Sequence, residues 1–271
     1  MRVGISTYAL FWECSDRVEN PITVEGMLDR TKELDCNVLQ ICDYPKIETF
    51  DAGRLAAIAA QAKDQGIEIE LGTRGTEVAH LKKYLDLCQA VDAKVLRSMI
   101  QIGPDKPTLA QTTGYLYAIS PVLDELGIDL ALETYEQLPT KDLVATIEAV
   151  NNKHVGIALD PANCVANLEH PNNVIDACAP YTLNLHVKDF AFSRKDGWVG
   201  FTYSGAPMGT GLLDYQYELS KVQPVARGIS QIVEHWLSWQ EDEKSTISLE
   251  RQWTELAVTA IKQLTTDHKE N

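Results

Sequence analysis

Eight short apolar segments, separated by segments with helical periodicity, are the feature that most constrains how this chain folds. In chain order they are RVGIST, CNVLQIC, IEIELGT, AKVLRSM, IDLALET, VGIALD, TLNLHV and ISQIVE. All are rich in Val, Ile and Leu, as buried strands are. Between most of them, apolar residues recur three and four positions apart, as they do on the buried face of a helix. The sequence therefore predicts strands that alternate with helices.

Several of these segments are apolar on both faces, which is typical of a parallel sheet covered by helices. Eight strand–helix units in 271 residues predict an α/β fold, a closed (β/α)8 TIM barrel, with residues 1–271 as a single domain. A doubly wound open sheet is the alternative. Such sheets commonly carry a glycine-rich phosphate-binding turn after the first strand. The corresponding segment here, TYALFWEC, contains no such motif.

Composition argues against several classes of function. The formal charge of −15 disfavours non-specific nucleic-acid binding, which needs a cationic surface. No apolar run approaches the roughly 20 residues that span a bilayer, and the first residues lack the pattern of a signal peptide. The six cysteines include no C-x-x-C pair, which fits a reducing compartment. We expect a cytoplasmic protein that binds neither nucleic acid nor a membrane.

Three carboxylates and one imidazole stand at the carboxyl ends of the last four predicted strands, where a barrel of this kind places its chemistry. They are Glu133, Asp160, His186 and Glu234. Any one of them alone is more simply explained as structural. Together, three carboxylates in an apolar setting would repel one another, and a divalent cation offsets that repulsion. Oxygen ligands with one imidazole suit Mn²⁺ or Mg²⁺, and Co²⁺ or Zn²⁺ are also compatible.

Three cationic side chains accompany this set. Arg74 follows the third predicted strand, Arg97 lies within the fourth, and Lys188 is two residues beyond His186 on the same strand face. Arginine binds carboxylate and phosphate groups through two donors. If these side chains point into the mouth, the substrate carries an anion as well as a sugar-like backbone. The alternatives are a rim salt bridge for Arg74 and a buried pair with a barrel carboxylate for Arg97.

The segment 190–214 is unusually long for a connection in a compact domain, at about 25 residues, and such loops are commonly functional. It follows the seventh predicted strand, so we expect it to lie over the mouth. We expect its aromatic side chains to close over a substrate, to pack the segment onto the barrel, or to do both. They are Phe190, Phe192, Trp198, Phe201 and Tyr203.

The motifs LETYE, ALDPAN, LHVKDF, MGTGLLD and IVEHW resemble those of the sugar isomerase/epimerase-like barrels of the xylose isomerase-like superfamily. The resemblance covers essentially the whole chain. The superfamily includes ketose 3-epimerases, inosose dehydratases, hydroxypyruvate isomerases and the endonuclease IV type of DNA repair enzyme. Epimerases of this group bind one divalent ion through Glu, Asp, His and Glu at the ends of strands five to eight. The resemblance thus implies the ligands Glu133, Asp160, His186 and Glu234.

The resemblance also implies a metal-dependent isomerase or epimerase that acts on a ketose or oxidised sugar through a metal-bound enediolate. In the epimerases the first and last glutamates also shuttle the proton, which implies Glu133 and Glu234 as acid/base residues. One position departs from the pattern. Many relatives carry a substrate-contacting histidine where this chain has Asn163, and an amide can hydrogen-bond a hydroxyl but cannot titrate.

Two other reactions stay open. Some members of the superfamily decarboxylate 3-oxo sugar acids in sugar catabolism, and an arginine-rich mouth suits a carboxylate substrate. An endonuclease IV-like enzyme needs a trinuclear zinc site with several further histidines, and apart from His186 only His235 lies at a predicted strand end. We therefore expect a small sugar or sugar-acid substrate. Relatives are often dimers or tetramers, so a homo-oligomer is compatible with the resemblance.

Overall fold

The computed structural model of the protein describes residues 1–100 and 106–270. Ten strands lie in these two ranges. They are β1 (Val3–Ser6), β2 (Val38–Cys42), β3 (Glu68–Gly72), β4 (Val95–Ser98), β5 (Asp129–Glu133), β6 (Val155–Leu159), β7 (Thr182–Val187), β8 (Phe190–Arg194), β9 (Phe201–Gly205) and β10 (Ser230–Val233). Eight of the strands form a closed parallel barrel, and β8 and β9 form a separate antiparallel hairpin.

Helices follow most of the barrel strands. They are α1 (Val24–Glu33), α2 (Ala52–Gln65), α3 (Val78–Ala90), α4 (Leu109–Leu126), α5 (Thr140–Val150), α6 (Pro161–Cys164), α7 (Pro171–Cys178), α8 (Tyr215–Val222), α9 (Pro224–Arg227) and α10 (Glu243–Glu270). Short 3-10 turns lie at Thr7–Ala9, Pro45–Thr49, Val165–Asn167, Ala179–Tyr181 and Asp196–Trp198. Among the described helices, none is long and apolar enough to cross a membrane.

The two ends of the chain close the barrel. Strand β10 lies between β7 and β1, with Val3 of β1 paired to Gln231 of β10. On its other side β1 pairs with β2, and Gly4 lies opposite Val38. Each of the eight apolar segments contains one barrel strand. The predicted (β/α)8 barrel is confirmed, and the open-sheet alternative is wrong because each of the eight strands has a neighbour on both sides, which leaves the sheet without an edge.

Local sequence signals explain where the helices begin and end. Helix α2 begins after Asp51, whose side chain accepts a hydrogen bond from the backbone N–H of Arg54 at 2.8 Å. It ends at Gly66, which has a φ of 70° that glycine adopts without steric cost. Helix α4 begins with a capping box between Thr108 and Gln111. These signals fix the helix lengths and hence the direction in which the chain enters each strand.

The amino-terminal end of the barrel interior is filled by a buried polar cluster. The carboxylate of Glu70 accepts hydrogen bonds from Ser230 at 2.5 Å, Asn184 at 2.8 Å and Gln40 at 3.0 Å. Burial raises the pKa of Glu70, and these donors work against that shift. The cluster thus packs this end of the barrel interior with hydrogen-bonded side chains, and we call the opposite, carboxyl end the mouth.

The segment 190–214 contains the β8–β9 hairpin, whereas the sequence predicted only a long loop. Its base is held by Asp189, whose carboxylate accepts four backbone N–H bonds of 2.9 to 3.0 Å. The donors are Phe190, Gly209, Gly211 and Leu213. Gly211 lies so close that a Cβ there would come within 2.2 Å of the Asp189 carboxylate. The base of this segment is therefore tied to the end of β7.

Candidate metal centre and active site

Four side chains at the carboxyl end of the barrel form a compact group. They are Glu133 at the end of β5, Asp160 after β6, His186 within β7 and Glu234 after β10. One ligand atom from each lies within 4.8 Å of the others. None of the four is more than 3% exposed. The structure thus brings together the four residues that the strand ends indicated.

The geometry around His186 fits a divalent cation. Its Nδ1 lies 3.5 Å from Glu133 Oε1, 3.5 Å from Glu234 Oε1 and 3.9 Å from Asp160 Oδ2. Neither ring nitrogen has a hydrogen-bond partner among the described residues. Ligand atoms that share an ion at about 2.1 Å lie roughly 3 to 4 Å apart, as these do. A buried set of three carboxylates and one imidazole can therefore hold one divalent ion.

The negative charges around His186 also fit a bound cation. Burial would lower the pKa of His186, but the carboxylates of Glu234, Glu133 and Asp160 outweigh it and raise that pKa. Burial, together with the other two carboxylates, raises the pKa of Asp160 to about 6 although Lys188 works against the shift. The shift of the His186 pKa shows that the three carboxylates stabilise a positive charge among them.

Lys188 and Arg97 are both buried at the edge of this group. Lys188 Nζ lies 2.6 Å from Asp160 Oδ2 and 3.2 Å from Glu234 Oε2. Arg97 forms an ion pair with Glu133, which is the buried pair with a barrel carboxylate that the sequence left open. Burial alone would raise the pKa of Glu133. Nearby positive charges, of which Arg97 has the largest effect, lower that pKa below its usual value instead. Both cations thus contact proposed ligands directly.

Asn163 also contacts a proposed ligand. Its Nδ2 donates to Glu133 Oε1 at 2.9 Å and to the backbone oxygen of Thr134 at 3.1 Å. Its backbone N–H donates to Asp160 Oδ1 at 3.3 Å, because Asp160 caps the short helix α6. The side-chain amide of Asn163 therefore fixes the orientation of Glu133.

Arg74 lies farther out, in a cluster that the sequence analysis did not foresee. Its Nε and Nη2 donate to Asp43 Oδ2 at 3.0 and 2.9 Å, and Nη2 also donates to the Tyr8 hydroxyl at 2.8 Å. The Tyr8 hydroxyl donates to the same oxygen of Asp43 at 2.6 Å. Arg74 thus forms the rim salt bridge that was its alternative. Asp43 directly follows the second apolar segment, so the strand-end rule applied to all eight strands would have found it.

These contacts join into a closed circuit around the mouth, which we call the mouth ring. Ser6 completes it, since its hydroxyl accepts from the Tyr8 backbone N–H at 2.9 Å and donates to Glu234 Oε1 at 3.0 Å. The members of the ring, in spatial order, are Ser6, Tyr8, Asp43, Arg97, Glu133, Asn163, Asp160, Lys188 and Glu234. Each proposed carboxylate ligand is therefore held by other members of the ring.

The remaining histidines do not add to the centre. His235 is buried, and its Nε2 lies 3.1 Å from the Thr254 hydroxyl. Burial, with a smaller effect of Lys188, lowers the pKa of His235 to about 4. Within the two described ranges, the group of four is the one cluster with metal-binding geometry. The several histidines that a trinuclear zinc site needs are not gathered among the described residues of the mouth.

An aromatic cavity of about 500 Å³ opens beside the centre. Its wall includes Tyr8, Phe11, Trp12, Tyr203 and Trp236. The Tyr203 hydroxyl donates to the Ala162 backbone oxygen at 2.6 Å, which fastens the hairpin to the loop after β6.

The aromatic side chains of segment 190–214 divide into two groups. Phe190 is buried and Tyr203 is partly buried, and both pack at the barrel mouth. Phe192, Trp198 and Phe201 are 52%, 77% and 60% exposed. Packing onto the barrel describes Phe190 and Tyr203, and closure over a substrate stays a prediction for the other three.

Comparison with known proteins agrees with this geometry. A family model described as xylose isomerase-like TIM barrel matches residues 28–257. The 3-oxo-isoapionate decarboxylase of Pectobacterium atrosepticum is 46% identical over 254 residues, which are 94% of this chain and 92% of that protein.

Solved structures share the fold at much lower identity. D-psicose 3-epimerase from Clostridium cellulolyticum H10 superposes with a TM-score of 0.76 at 13% identity, over 98% of this chain and 99% of that one. A xylose isomerase-like TIM barrel protein from Mycobacterium smegmatis, solved in complex with magnesium, gives 0.70 at 16% identity, over 96% and 97%. The closed barrel, its strand-end residues and these matches agree, and the chain belongs to the xylose isomerase-like TIM barrel family.

Proposed function

We propose that this protein is a metal-dependent decarboxylase of a 3-oxo sugar acid. The observation that carries the proposal is the 46% identity, over nearly the whole length of both chains, with a 3-oxo-isoapionate decarboxylase. A 3-oxo-isoapionate or a closely related 3-oxo sugar acid is accordingly the proposed substrate. The sequence motifs led first to an isomerase or epimerase, with the decarboxylase as alternative, and the relative favours that alternative.

The proposed cofactor is one divalent ion, Mn²⁺ or Mg²⁺, held by Glu133, Asp160, His186 and Glu234. Three carboxylate oxygens and one imidazole nitrogen, all buried and mutually close, support this assignment. When bound, the ion supplies a Lewis acid that polarises the 3-oxo carbonyl of the substrate.

The chemistry needs an electron sink but no base that removes a proton from carbon. The bond between C2 and the carboxylate carbon breaks, CO₂ leaves, and the electron pair passes onto the 3-oxo group. C2 then takes up a proton. Lys188 and Arg97, both buried within the ligand set, stabilise the negative charge that moves onto the substrate oxygen.

The contacts of Glu133 favour this reaction over an isomerisation. Its Oε1 accepts from Asn163, and its Oε2 is paired with Arg97. A carboxylate so engaged is a weak base, whereas an isomerase must abstract a proton from carbon. Glu234, the other predicted acid/base residue, is held in the same way, because its Oε1 accepts from the Ser6 hydroxyl and its Oε2 accepts from Lys188.

The four predicted substrate-binding residues differ in their availability. Arg74 has a half-exposed guanidinium at the rim and is the proposed contact for the outer part of the substrate. Arg97, Asn163 and Lys188 face the centre but also hold ligand carboxylates. We propose that these three act mainly by placing charge and ligands around the reacting end.

An isomerase or epimerase acting on a ketose remains the second candidate. The observation in its favour is the ligand set itself, since Glu133, Asp160, His186 and Glu234 stand where the resemblance to epimerases implied one metal ion. The two candidates share the metal and the electron sink, and they differ in whether carbon is lost.

We further propose a single domain of residues 1–271 that works in the cytoplasm as a homo-oligomer and does not bind nucleic acid. The six cysteines are all free, as a reducing compartment would keep them. The charge of −15 supports the absence of nucleic-acid binding. Exposed apolar side chains at the hairpin, such as Trp198 and Phe201, support self-association, which light scattering tests.

The deciding experiment incubates the Mn²⁺-loaded protein with 3-oxo-isoapionate and measures CO₂, and in parallel incubates it with ketoses in D₂O. We expect one CO₂ per substrate consumed. Glu133→Gln should lower kcat/KM at least about a hundredfold, and the matched control Glu136→Gln, at an exposed position nearby, should not. Deuterium uptake without loss of carbon would instead identify an isomerase. The absence of both CO₂ release and deuterium uptake would refute both candidates.

A further inference from the structure

Asp43 lies between two arginines at the mouth and is not one of the four proposed ligands. Its Oδ2 accepts from Tyr8 and Arg74, and its Oδ1 lies 3.4 Å from Arg97 Nη1. The Asp43 side chain is 16% exposed, against 51% for Arg74 and 3% for Arg97. Asp43 is therefore in contact with both guanidinium groups of the mouth, and one of them reaches the surface.

The net formal charge of the mouth depends on the carboxylate of Asp43. Three cationic side chains, Arg74, Arg97 and Lys188, face four carboxylates. These carboxylates are Asp43, Glu133, Asp160 and Glu234. A divalent ion in the centre changes the sum from one excess negative charge to one excess positive charge. Without the carboxylate of Asp43, the loaded mouth would carry two excess positive charges.

We propose that Asp43 is a specificity-determining residue that sets the metal-loaded mouth to accept a substrate with a single negative charge. It cancels one positive charge beside Arg74 and Arg97, so that a monocarboxylate is preferred and a dicarboxylate or a sugar phosphate is disfavoured. This inference rests on the proposed function, a decarboxylase of sugar acids, and names the charge class of its substrate.

The effect follows from Coulomb's law at a partly exposed site. A unit charge about 8 Å from a second anionic group, at an effective dielectric constant of 20 to 40, changes binding on the order of tenfold. A carboxylate that repels the wrong ligand is a form of selectivity by exclusion. The Asp43 carboxylate opposes the second negative charge of a dianion in this way, while a monoanion meets only the one excess positive charge.

Asp43→Asn tests the charge with little change of structure. Asp43 has a φ of 49°, a left-handed conformation that asparagine also tolerates. The amide oxygen can still accept from Tyr8 and Arg74, while the amide nitrogen replaces the oxygen that lies 3.4 Å from Arg97 Nη1, so the Arg97 contact is lost together with the charge. Asp92→Asn is a matched control, because Asp92 also has a positive φ, of 56°, and lies after α3 at the opposite end of the barrel. Its side chain is 85% exposed and pairs with Lys94.

The readout is binding rather than turnover. Calorimetry of the Mn²⁺-loaded protein gives the dissociation constants of threonate, with one carboxylate, and tartrate, with two. We expect the wild type to prefer threonate and Asp43→Asn to shift the ratio of the two constants about tenfold toward tartrate. Asp92→Asn should keep the wild-type ratio. An unchanged ratio in Asp43→Asn, or no binding of either anion to the wild type, overturns the proposal.

A second pair of variants separates charge from local contact. Arg74→Gln should shift the ratio the opposite way, and the double variant with Asp43→Asn should return toward the wild-type ratio. A double variant that stays shifted overturns the proposal. These binding measurements need no turnover. If the ratios shift as expected but the protein releases no CO₂ from 3-oxo acids, the proposed function is refuted and the role of Asp43 is retained.

Discussion

At the scale of single residues, Asn163 orients a proposed metal ligand. Its amide donates to Glu133 Oε1, and the guanidinium of Arg97 pairs with the other oxygen. The Glu133 carboxylate is thus held in one orientation by the protein itself. Groups that orient a metal ligand commonly change metal affinity by 10 to 100 times when removed.

Asn163→Ala should therefore weaken metal binding about tenfold to a hundredfold and lower kcat/KM, because Glu133 loses the donor that orients it. Titration of Mn²⁺ against a competing chelator measures the first effect. Asn173→Ala, at an exposed position on α7, is the control. Equal metal affinity in Asn163→Ala and the control would show that Asn163 does not orient Glu133.

Glu218 makes a second prediction at this scale. It is fully buried on α8, and neither carboxylate oxygen has a hydrogen-bond partner among the described residues. Burial raises its pKa well above the usual value. The folded state therefore keeps a proton that the unfolded state releases above about pH 4.3. This difference lowers the stability of the fold as pH rises from there toward the raised pKa.

Glu218→Gln should remove that loss, so its stability relative to the wild type should grow with pH between 5 and 8. The limit is about 1.4 kcal/mol for each pH unit. Urea unfolding at three pH values measures the difference, with Glu125→Gln at an exposed position of α4 as the control. A difference that does not depend on pH would mean that Glu218 is ionised in the folded protein.

The sequence indicated the four proposed ligands because each follows a recognisable apolar strand. It did not indicate Tyr8 or Ser6, whose relation to Asp43 and Glu234 depends on the closure of the barrel. Ser6 Oγ contacts Glu234 only because β1 and β10 are neighbours, and no local pattern reveals that pairing. The position of a residue at a strand end can therefore be predicted from the sequence of that strand alone. Contacts between residues of different strands become visible only in the structure.

At the scale of elements, the β8–β9 hairpin was predicted as a long loop. Its two strands pair Phe192 with Tyr203 and Arg194 with Phe201. The turn between them uses positive φ values at Gly197, Trp198 and Gly200. The length of segment 190–214 was a sound signal of an unusual element. Its register was not predictable, because it depends on that irregular turn and on the anchor that Asp189 provides.

Asp189→Asn should loosen the hairpin. Backbone N–H groups that donate to the carboxylate in the wild type would face the amide N–H groups of the variant and lose their acceptor. Each charged hydrogen bond of this kind contributes about 1.5 to 3 kcal/mol. Hydrogen exchange should rise at least about tenfold in residues 205–214 and stay unchanged in the barrel strands. Asp196→Asn, at the exposed hairpin tip, is the control. Unchanged exchange in 205–214 would show that other contacts hold the hairpin base.

At the scale of the whole molecule, we expect the affinity for the proposed metal ion to depend on pH. Divalent ions bind ionised carboxylates, and the pKa of Asp160 is raised to about 6, chiefly by burial. Protons therefore compete with the metal below about pH 6, and the dissociation constant should rise about tenfold for each further pH unit. Mn²⁺ titrations between pH 5 and pH 8 measure this dependence. A constant affinity over that range would contradict the assignment of Asp160 as a ligand.

Removal of the metal with a chelator should lower the Tm at pH 7.5 by about 5 °C, because an ion present at a hundred times its Kd adds about 2.7 kcal/mol. Mn²⁺ should restore both the Tm and the activity. The same treatment of His186→Ala should produce a much smaller change. A chelator that leaves the wild-type Tm unchanged would argue against a resident ion.

The barrel itself was predictable because eight apolar segments and their helices fill the chain without a linker. Closure was a weaker inference, since an open sheet has the same local periodicity. The pairing of Val3 with Gln231 decides it, and that contact joins the two ends of the sequence.

This closure has a consequence for synthesis of the protein. Strand β10, which is followed by Glu234, enters between β1 and β7 after the nine other described strands have been synthesised. A nascent chain that lacks β10 holds three of the four proposed ligands and has an open seam beside β1. The full set of proposed ligands can therefore form only after synthesis has passed β10.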